Sequence, residues 1–382
     1  MKYLFKKPWK RFLFKLIDTI GWILFFWARF LPRSNSVRRI LLMRMDQIGD
    51  VVFTIPAVRA IKRKYPDASI DYLVGPWSEE LVELLPEIGK IISFPDNWFS
   101  PSFSLKKCAA NFFGALRELK RGKYDLAIDF RGDFRNIFLL FLAGIPERLS
   151  YGVTGGGFLL SQECSHDKRI HQVDLNLKLV QKLCCDIEDK SFGIQLSDSR
   201  KEAGRDLLVN IPKMERKVVV HMGAGYPSKQ WGSERYRRLI DMISEKKLAW
   251  VVLVGLESER SLVGNWSSVN GRVLNLIGKT TFSELAAVID QCDLFIGNDS
   301  GPSHIAAALG KKEVVIFSGT NDADIWKPWN PKAVLIRKDV PCSPCEEKVC
   351  FQPRHYCMED IAVEEVFRKV QGLLTQRVEL AC

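Results

Sequence analysis

Residues 297–308 read Gly297-Asn298-Asp299-Ser300-Gly301-Pro302-Ser303-His304-Ile305-Ala306-Ala307-Ala308. They follow the apolar run Leu294-Phe295-Ile296, so the pattern is strand, short polar turn, helix. That order aims unpaired backbone N–H groups and a helix dipole at one point, which favours an anion and most often a phosphate. Pro302 suits the first helical turn, where its missing N–H costs nothing, and Gly301 lets a ligand approach the backbone. Simple capping by Asp299 or Ser300 is the blander account. Capping alone does not call for His304 one turn in.

A second turn of this kind follows the apolar residues 218–220. It reads His221-Met222-Gly223-Ala224-Gly225-Tyr226-Pro227-Ser228-Lys229-Gln230-Trp231 and precedes a helix at Ser233-Glu234-Arg235. Its glycines bare the backbone, and Lys229 is a point charge suited to phosphate. A solvated loop lysine is the alternative, less comfortable once two such turns lie in one domain. Neither turn is a Walker A loop or a Gly-x-Gly-x-x-Gly fingerprint, so P-loop hydrolysis and hydride transfer lose support. A third candidate is Asp50, which closes the turn after the first strand and starts a helix, where the dipole stabilises a carboxylate. It is either a helix cap or a base facing a cleft, as group transfer to a hydroxyl needs. Asp46 in the same turn is the weaker candidate. The run Gly155-Gly156-Gly157 has no strand–helix context and reads as a flexible loop.

Ten cysteines are many, and Cys342, Cys345, Cys350 and Cys357 form a group. A CxxC followed by two more cysteines has metal-ligand character, so a structural zinc site is one reading; disulfides and plain buried thiols are the others.

The elements that must carry these turns alternate strand and helix. Strand-like runs lie at 39–45, 69–74, 91–94 and 126–130, with helical spacing over 51–65. The pattern restarts with runs at 217–221, 250–254, 273–276, 294–296 and 313–317 and helices near 233–245, 258–264, 282–290 and 302–309. This predicts an α/β protein with two parallel-sheet, Rossmann-like domains facing a central cleft. The expected domains are residues 38–200 and 215–340, with 341–382 holding the cysteines and a tail helix near 363–374 that packs back. The polar stretch 197–216 is the best boundary.

The net charge of +11 is concentrated at one end. Residues 1–39 hold ten Lys/Arg against Asp18 alone, or +9, which leaves +2 for the rest and argues against nucleic-acid binding. Residues 12–31 are rich in Phe, Leu, Ile and Trp but are interrupted by Lys15, Asp18 and Arg29. A basic, aromatic helix lying in an anionic membrane surface competes with a signal anchor, and Asp18 argues against burial in hydrocarbon. The preferred expectation is a membrane-associating helix over residues 1–37.

The residues Arg44-Met45-Asp46-Gln47-Ile48-Gly49-Asp50-Val51-Val52 with Pro56 carry a resemblance. So do Gly223-Ala224, Ser228-Lys229-Gln230-Trp231, the 298–307 segment and Phe317-Ser318-Gly319-Thr320-Asn321-Asp322. Together, over about residues 38–375, they resemble glycosyltransferase family 9, the ADP-heptose–lipopolysaccharide heptosyltransferases. The cysteine segment is also similar to one in many members, and residues 1–37 fall outside the resemblance. It implies a GT-B fold and an inverting, metal-independent transfer from ADP-L-glycero-D-manno-heptose to the lipopolysaccharide inner core, with no cofactor required. Asp50 would be the general base, and Lys229 would hold the donor diphosphate and neutralise departing ADP. Gly223, Ala224, Ser228, Asp299, Ser300, Gly301, His304, Gly319 and Thr320 would form the donor site. Glu257 or Glu259 would meet the ribose hydroxyls. Arg131, Arg135, Lys106 and Lys107 could bind an acidic or phosphorylated acceptor, or be solvated charges.

Ser300 stands where members often carry Thr, and Ser318-Gly319-Thr320 where they often have Gly-Pro-Thr. The implied partners are the nucleotide sugar, the lipid A-core acceptor and the cytoplasmic face of the inner membrane. Two alternatives remain open at the level of sequence: a relative using another nucleotide sugar in cell-surface glycan synthesis, and a non-catalytic nucleotide- or lipid-binding protein. The presence of both Asp50 and Lys229 speaks against the second.

Overall fold

The computed structural model describes residues 7–25, 27, 36–95, 105–264 and 271–375. The chain forms two units, Met1–Phe192 and Gly193–Cys382. The first holds a six-stranded sheet of β1 (Arg39–Arg44), β2 (Ser69–Val74), β3 (Lys90–Ser93), β4 (Leu126–Asp129), β5 (Glu147–Ser150) and β6 (Gln162–Glu163). Its order is β3-β2-β1-β4-β5-β6, and every pairing is parallel. Parallel strands need crossovers, and the crossover helices cover both faces of the sheet. That is why Ile40, Leu41, Leu42 and Met43 are all apolar and all fully buried.

The second unit repeats the plan with β7 (Lys217–His221), β8 (Trp250–Val254), β9 (Val273–Asn275), β10 (Leu294–Asn298), β11 (Lys312–Ile316) and β12 (Ala333–Ile336). Its order is β12-β11-β10-β7-β8-β9, again all parallel. Counted from each unit's own first strand, both sheets have the order 3-2-1-4-5-6. In such sheets the order reverses between the first and fourth strands, and the turns at their carboxyl ends splay apart to leave a crevice. The turns after β1 and β4, and after β7 and β10, therefore hold the positions to inspect.

Several elements differ from the sequence reading. The helical stretch at 51–65 is two helices, Ile48–Val52 and Ile55–Lys64. Pro56 has no N–H to continue the first helix and instead sits in the opening turn of the second. Strands β5, β6 and β12 were not expected. The stretch 197–216 is not an open linker: Ser197 caps the helix Asp198–Leu207, whose Gly204 lies so close to Ala287 that a Cβ would crowd its backbone. The division falls earlier, after Phe192. The tail helix, Val363–Thr375, packs in the second unit, with Val366, Phe367, Val370 and Leu374 in the core around Tyr236, Leu239 and Ile240.

The largest difference is at Gly155-Gly156-Gly157, which is buried and ordered rather than a flexible loop. Gly156 takes φ +83°, which glycine adopts without steric cost, and donates its N–H to Asp18 Oδ1 at 2.8 Å. Asp18 belongs to the helix Pro8–Phe25, which packs here through Ile17, Trp22 and Phe25.

Candidate active site

In the first unit, β1 ends at Arg44, whose side chain turns back under the following loop. All three guanidinium nitrogens are engaged: Nε lies 2.7 Å from Asp46 Oδ2, Nη2 2.9 Å from Asp50 Oδ1, and Nη1 donates to the Phe130 carbonyl at 2.5 Å. Burying an arginine without such partners would cost several kcal/mol, so the pattern explains how this one is held. Trp77 Nε1 donates to the Asp46 carbonyl at 2.6 Å and ties the turn to the segment after β2. Asp50 sits in the first turn of Ile48–Val52, with its carboxylate 16 % exposed. Sequence reasoning quoted Arg44 only as part of a motif; a strand-end arginine followed by aspartates two and six residues on was the available signal.

Arg131 joins this cluster by pairing with Asp46. Burial, and then the charge of Arg44, bring its guanidinium down to about 10. Its turn is fixed by Asp129 at the end of β4, whose carboxylate accepts from Gly132 N (2.8 Å), Asn136 Nδ2 (2.9 Å) and Ser150 Oγ (2.8 Å). Burial raises the Asp129 pKa against those hydrogen bonds. Arg135 is used differently. Its Nε and Nη2 chelate Asp133 at 2.8 and 3.1 Å, and Asp133 caps the helix Phe134–Leu142 by accepting from the Arg135 N–H. Lys106 and Lys107 open the helix Leu105–Gly122, but their side chains lie outside the described residues.

In the second unit, the turns after β7 and β10 converge. Lys229 Nζ lies 2.6 Å from Asp299 Oδ2, Asn321 Nδ2 donates to the same oxygen at 3.1 Å, and His304 Nε2 lies 3.6 Å from Asp299 Oδ1. Burial pushes the Asp299 pKa up, but the hydrogen bond from His304 and the Lys229 charge outweigh it, and the carboxyl stays below its ordinary value. Ser300 is the N-cap of the helix Gly301–Ala308, yet its side chain makes no capping hydrogen bond. Pro302 has no N–H and Ser303 and His304 donate theirs to the Ser300 carbonyl, so the Gly301 N–H is the first-turn donor left for another anion.

The Ser300 hydroxyl turns instead toward β7. His221 Nδ1 lies 3.2 Å from Ser300 Oγ, and His221 Nε2 lies 3.2 Å from Glu259 Oε2. An ionised carboxylate only accepts, so Nε2 carries a proton. Burial raises the Glu259 pKa, but the His221 hydrogen bond more than offsets it and the group ends below its ordinary value. Between the two open choices, the structure brings Glu259 to this cluster, while Glu257 is two-thirds exposed and paired with Arg260. Gly223 has a physical reason: a Cβ there would overlap the Glu259 carboxylate. Asn298, fully buried, donates to the Met222 and Gly223 carbonyls at 2.9 and 3.0 Å and accepts from Tyr236 OH at 3.0 Å, clamping the two turns together. His221, Asn298 and Asn321 were not read as site residues, since each takes its meaning from a partner distant in sequence.

Ser228, Gly319 and Thr320 lie one layer out. Ser228 Oγ donates to the Glu347 carbonyl at 2.6 Å and its N–H to the Lys348 carbonyl at 3.1 Å. Thr320 Oγ1 donates to the Ser228 carbonyl at 3.1 Å, and the Gly319 and Thr320 carbonyls accept from Cys345 and Glu346 N–H. These residues strap the 343–348 segment to the lysine turn. Ala224, with only a methyl side chain, takes part through the backbone of the same turn. The zinc reading finds no support in this structure: Cys342, Cys345, Cys350 and Cys357 form no disulfide, and among the described residues there is no group of three or more His, Cys, Asp or Glu that could hold a metal ion.

Known proteins show the same organisation. A family model described as glycosyltransferase family 9 (heptosyltransferase) matches residues 113–355. The chain is 27 % identical over 333 residues to lipooligosaccharide heptosyltransferase 2 of Campylobacter jejuni, covering 86 % of this chain and 95 % of that one. Among solved structures, a glycosyl transferase family 9 protein of Veillonella parvula superposes with a TM-score of 0.77 at 18 % identity, over 90 % of this chain and 99 % of that one. The E. coli heptosyltransferase WaaC with ADP-2-deoxy-2-fluoro heptose superposes at 0.66 and 17 %, over 87 % and 99 %. At these identities the structural likeness establishes a shared fold of two parallel-sheet α/β units.

Proposed function

We propose, since the chain belongs to glycosyltransferase family 9, the heptosyltransferase family, that it transfers heptose from ADP-L-glycero-D-manno-heptose to the lipopolysaccharide inner core with inversion at the anomeric carbon. The single observation that carries the donor half is the convergence of Lys229, His304, Asn321 and the Ser300 N-cap on buried Asp299. A cation and a bare helix N-terminus at one point form a diphosphate cradle.

In this reading Asp50 is the general base. With Arg44 holding Oδ1, Oδ2 takes the proton from an acceptor hydroxyl as that oxygen attacks the anomeric carbon. The bond from that carbon to the diphosphate oxygen breaks, and its electron pair leaves with ADP. Lys229 meets the developing charge with one of its three N–H donors while another stays on Asp299. Ser300 and Gly301 offer backbone N–H groups to the same phosphates, and Glu259 reaches the ribose hydroxyls. Arg44 and Asp299 are positioning residues. Arg131, beside Asp46, is the acceptor-side cation the reading favours, and the reading takes the acceptor as lipid-borne and the reaction as occurring at the cytoplasmic face of the inner membrane.

The test is turnover by the purified full-length chain with ADP-heptose and other nucleotide sugars, read by mass spectrometry of the acceptor. Transfer from ADP-heptose is expected; transfer from another nucleotide sugar only would reassign the donor. Donor binding without any transfer would leave a non-catalytic relative.

A further inference from the structure

The helix Pro8–Phe25 is apolar on two faces. One face packs on the first unit through Ile17, Trp22 and Phe25 and is pinned by the hydrogen bond from Gly156 to buried Asp18. Gly21 fits only because it lacks a side chain, since a Cβ would overlap the Phe158 ring. The other face carries Trp9, Phe12, Leu16, Ile20, Ile23 and Leu24, each 48–72 % exposed. At 100° per residue these six fall within an arc of about 120°, a continuous strip along the helix. Apolar strips of this size on a soluble surface mark a contact that something else completes.

A separate aromatic row starts on the packed side of the helix. Phe14 packs edge-on against Phe134 (6.1 Å between centroids), Phe134 stacks on Phe138 (5.9 Å), Phe138 on Phe112 (6.3 Å), and Phe112 meets Phe113 (5.7 Å). Phe138 is 37 % and Phe113 65 % exposed. An aromatic ridge thus runs from the N-terminal helix across Phe134–Leu142 to Leu105–Gly122, all within one unit.

Charge decides what covers it. Residues 1–39 carry ten Lys/Arg and one acid, and that acid, Asp18, is turned inward to Gly156. Two copies of so basic a segment repel one another, whereas anionic lipid headgroups attract it. Crossing the bilayer is excluded while the helix is docked, because half its circumference is protein. Among the described residues no helix is long and apolar enough to cross a membrane.

We infer that the exposed strip of this helix, together with Phe138 and Phe113, is a rigid docking face for an anionic lipid bilayer, with the helix lying in the headgroup layer and holding the first unit in a fixed attitude to the membrane. This deepens the proposed function and rests on it only for the lipid-borne acceptor.

The test is flotation of the full-length protein with vesicles of phosphatidylcholine alone and of phosphatidylcholine mixed with phosphatidylglycerol. Wild type should float with the anionic vesicles and lose binding as salt is raised. Ile20→Glu with Ile23→Glu should lower the bound fraction about tenfold or more. Phe113→Glu, on a different helix, should lower it on its own, which keeps the proposal testable if the double variant misfolds. Met214→Glu, at a 97 % exposed methionine of the second unit, should change nothing. ADP binding by calorimetry should persist in every variant; its absence from wild type would count against the proposed function and leave the lipid result standing. Flotation of Phe113→Glu at the wild-type level, or a dimer in solution that the double variant abolishes while vesicle binding stays intact, would overturn the assignment.

Discussion

Lys229 Nζ and Asp299 Oδ2 lie 2.6 Å apart, with side chains only 14 % and 3 % exposed. The pair spans two turns that are 70 residues apart in sequence, one after β7 and one after β10. A carboxylate at the floor of the proposed diphosphate cradle looks counterproductive until its partners are counted. Lys229 and Asn321 share one of its oxygens and His304 approaches the other, so its charge is spent on aiming donors rather than on repelling phosphate.

Removing Asp299 should therefore hurt donor binding through Lys229. Asp299→Ala is expected to weaken ADP binding about tenfold or more, since it leaves a mostly buried lysine uncompensated. Lys229→Ala should lower kcat/KM about 10²- to 10³-fold, as loss of a leaving-group stabiliser does. Calorimetry with ADP and steady-state kinetics check the two. Asp299→Ala with unchanged ADP affinity would remove it from the cradle.

Asp50 and Arg44 separate chemistry from positioning. Asp50→Asn should lower kcat about 10²- to 10⁴-fold while ADP binding persists. Arg44→Gln releases the Asp50 Oδ1 that it holds at 2.9 Å and should lower kcat about tenfold or more with ADP binding unchanged. Arg44→Lys should restore part of kcat. A merely structural Arg44 would lower Tm and leave the kcat of the folded enzyme where it is.

These sites show what the sequence could and could not convey. Strands β1, β7, β8, β10 and β11 are legible because burial on both faces demands unbroken apolar runs such as Leu41-Leu42-Met43 and Val218-Val219-Val220. Strand β5 is not, because it carries Arg148, which is fully buried by hydrogen bonds to the Ile145, Pro146 and Leu159 carbonyls and so reads as a surface residue. Strand β6 has two residues, and edge strand β12 is half-exposed, so neither carries a periodic signal. The phosphate-type turns were legible from glycine, proline and strand–helix order, which are local. The pairings of Arg44 with Phe130, of His221 with Glu259 and of Asp18 with Gly156 join residues 38 to 138 positions apart, and no local pattern encodes them.

Gly223→Ala tests the steric account of the β7 turn. The new methyl would overlap the Glu259 carboxylate and drive the end of this flexible side chain away from His221. A lowered Tm together with weakened ADP binding is expected; wild-type values of both would show that Glu259 moves aside freely.

Glu313 gives a prediction independent of the site. It is fully buried on β11, accepts from Asn330 Nδ2 at 2.9 Å, and burial pushes its pKa up to about 8. The folded state then binds a proton that the unfolded chain gives up near its ordinary 4.5. Stability from this group is full below pH 4.5 and falls as pH rises toward 8, by up to about 1.4 kcal/mol for each pH unit. Glu313→Gln should flatten the change of Tm over that window, and an equally steep profile in the variant would assign it to another group.

The strap from 343 to 348 carries a consequence for how the cradle is kept in shape. Cys345 and Glu346 are hydrogen-bonded to Gly319 and Thr320, and Glu347 and Lys348 to Ser228, the immediate neighbour of Lys229. The Lys229 ammonium, proposed to meet the diphosphate, is thus seated against a segment more than a hundred residues downstream, and a chain cut short before residue 343 would lose this backing together with Val366, Phe367, Val370 and Leu374 of the second unit's core.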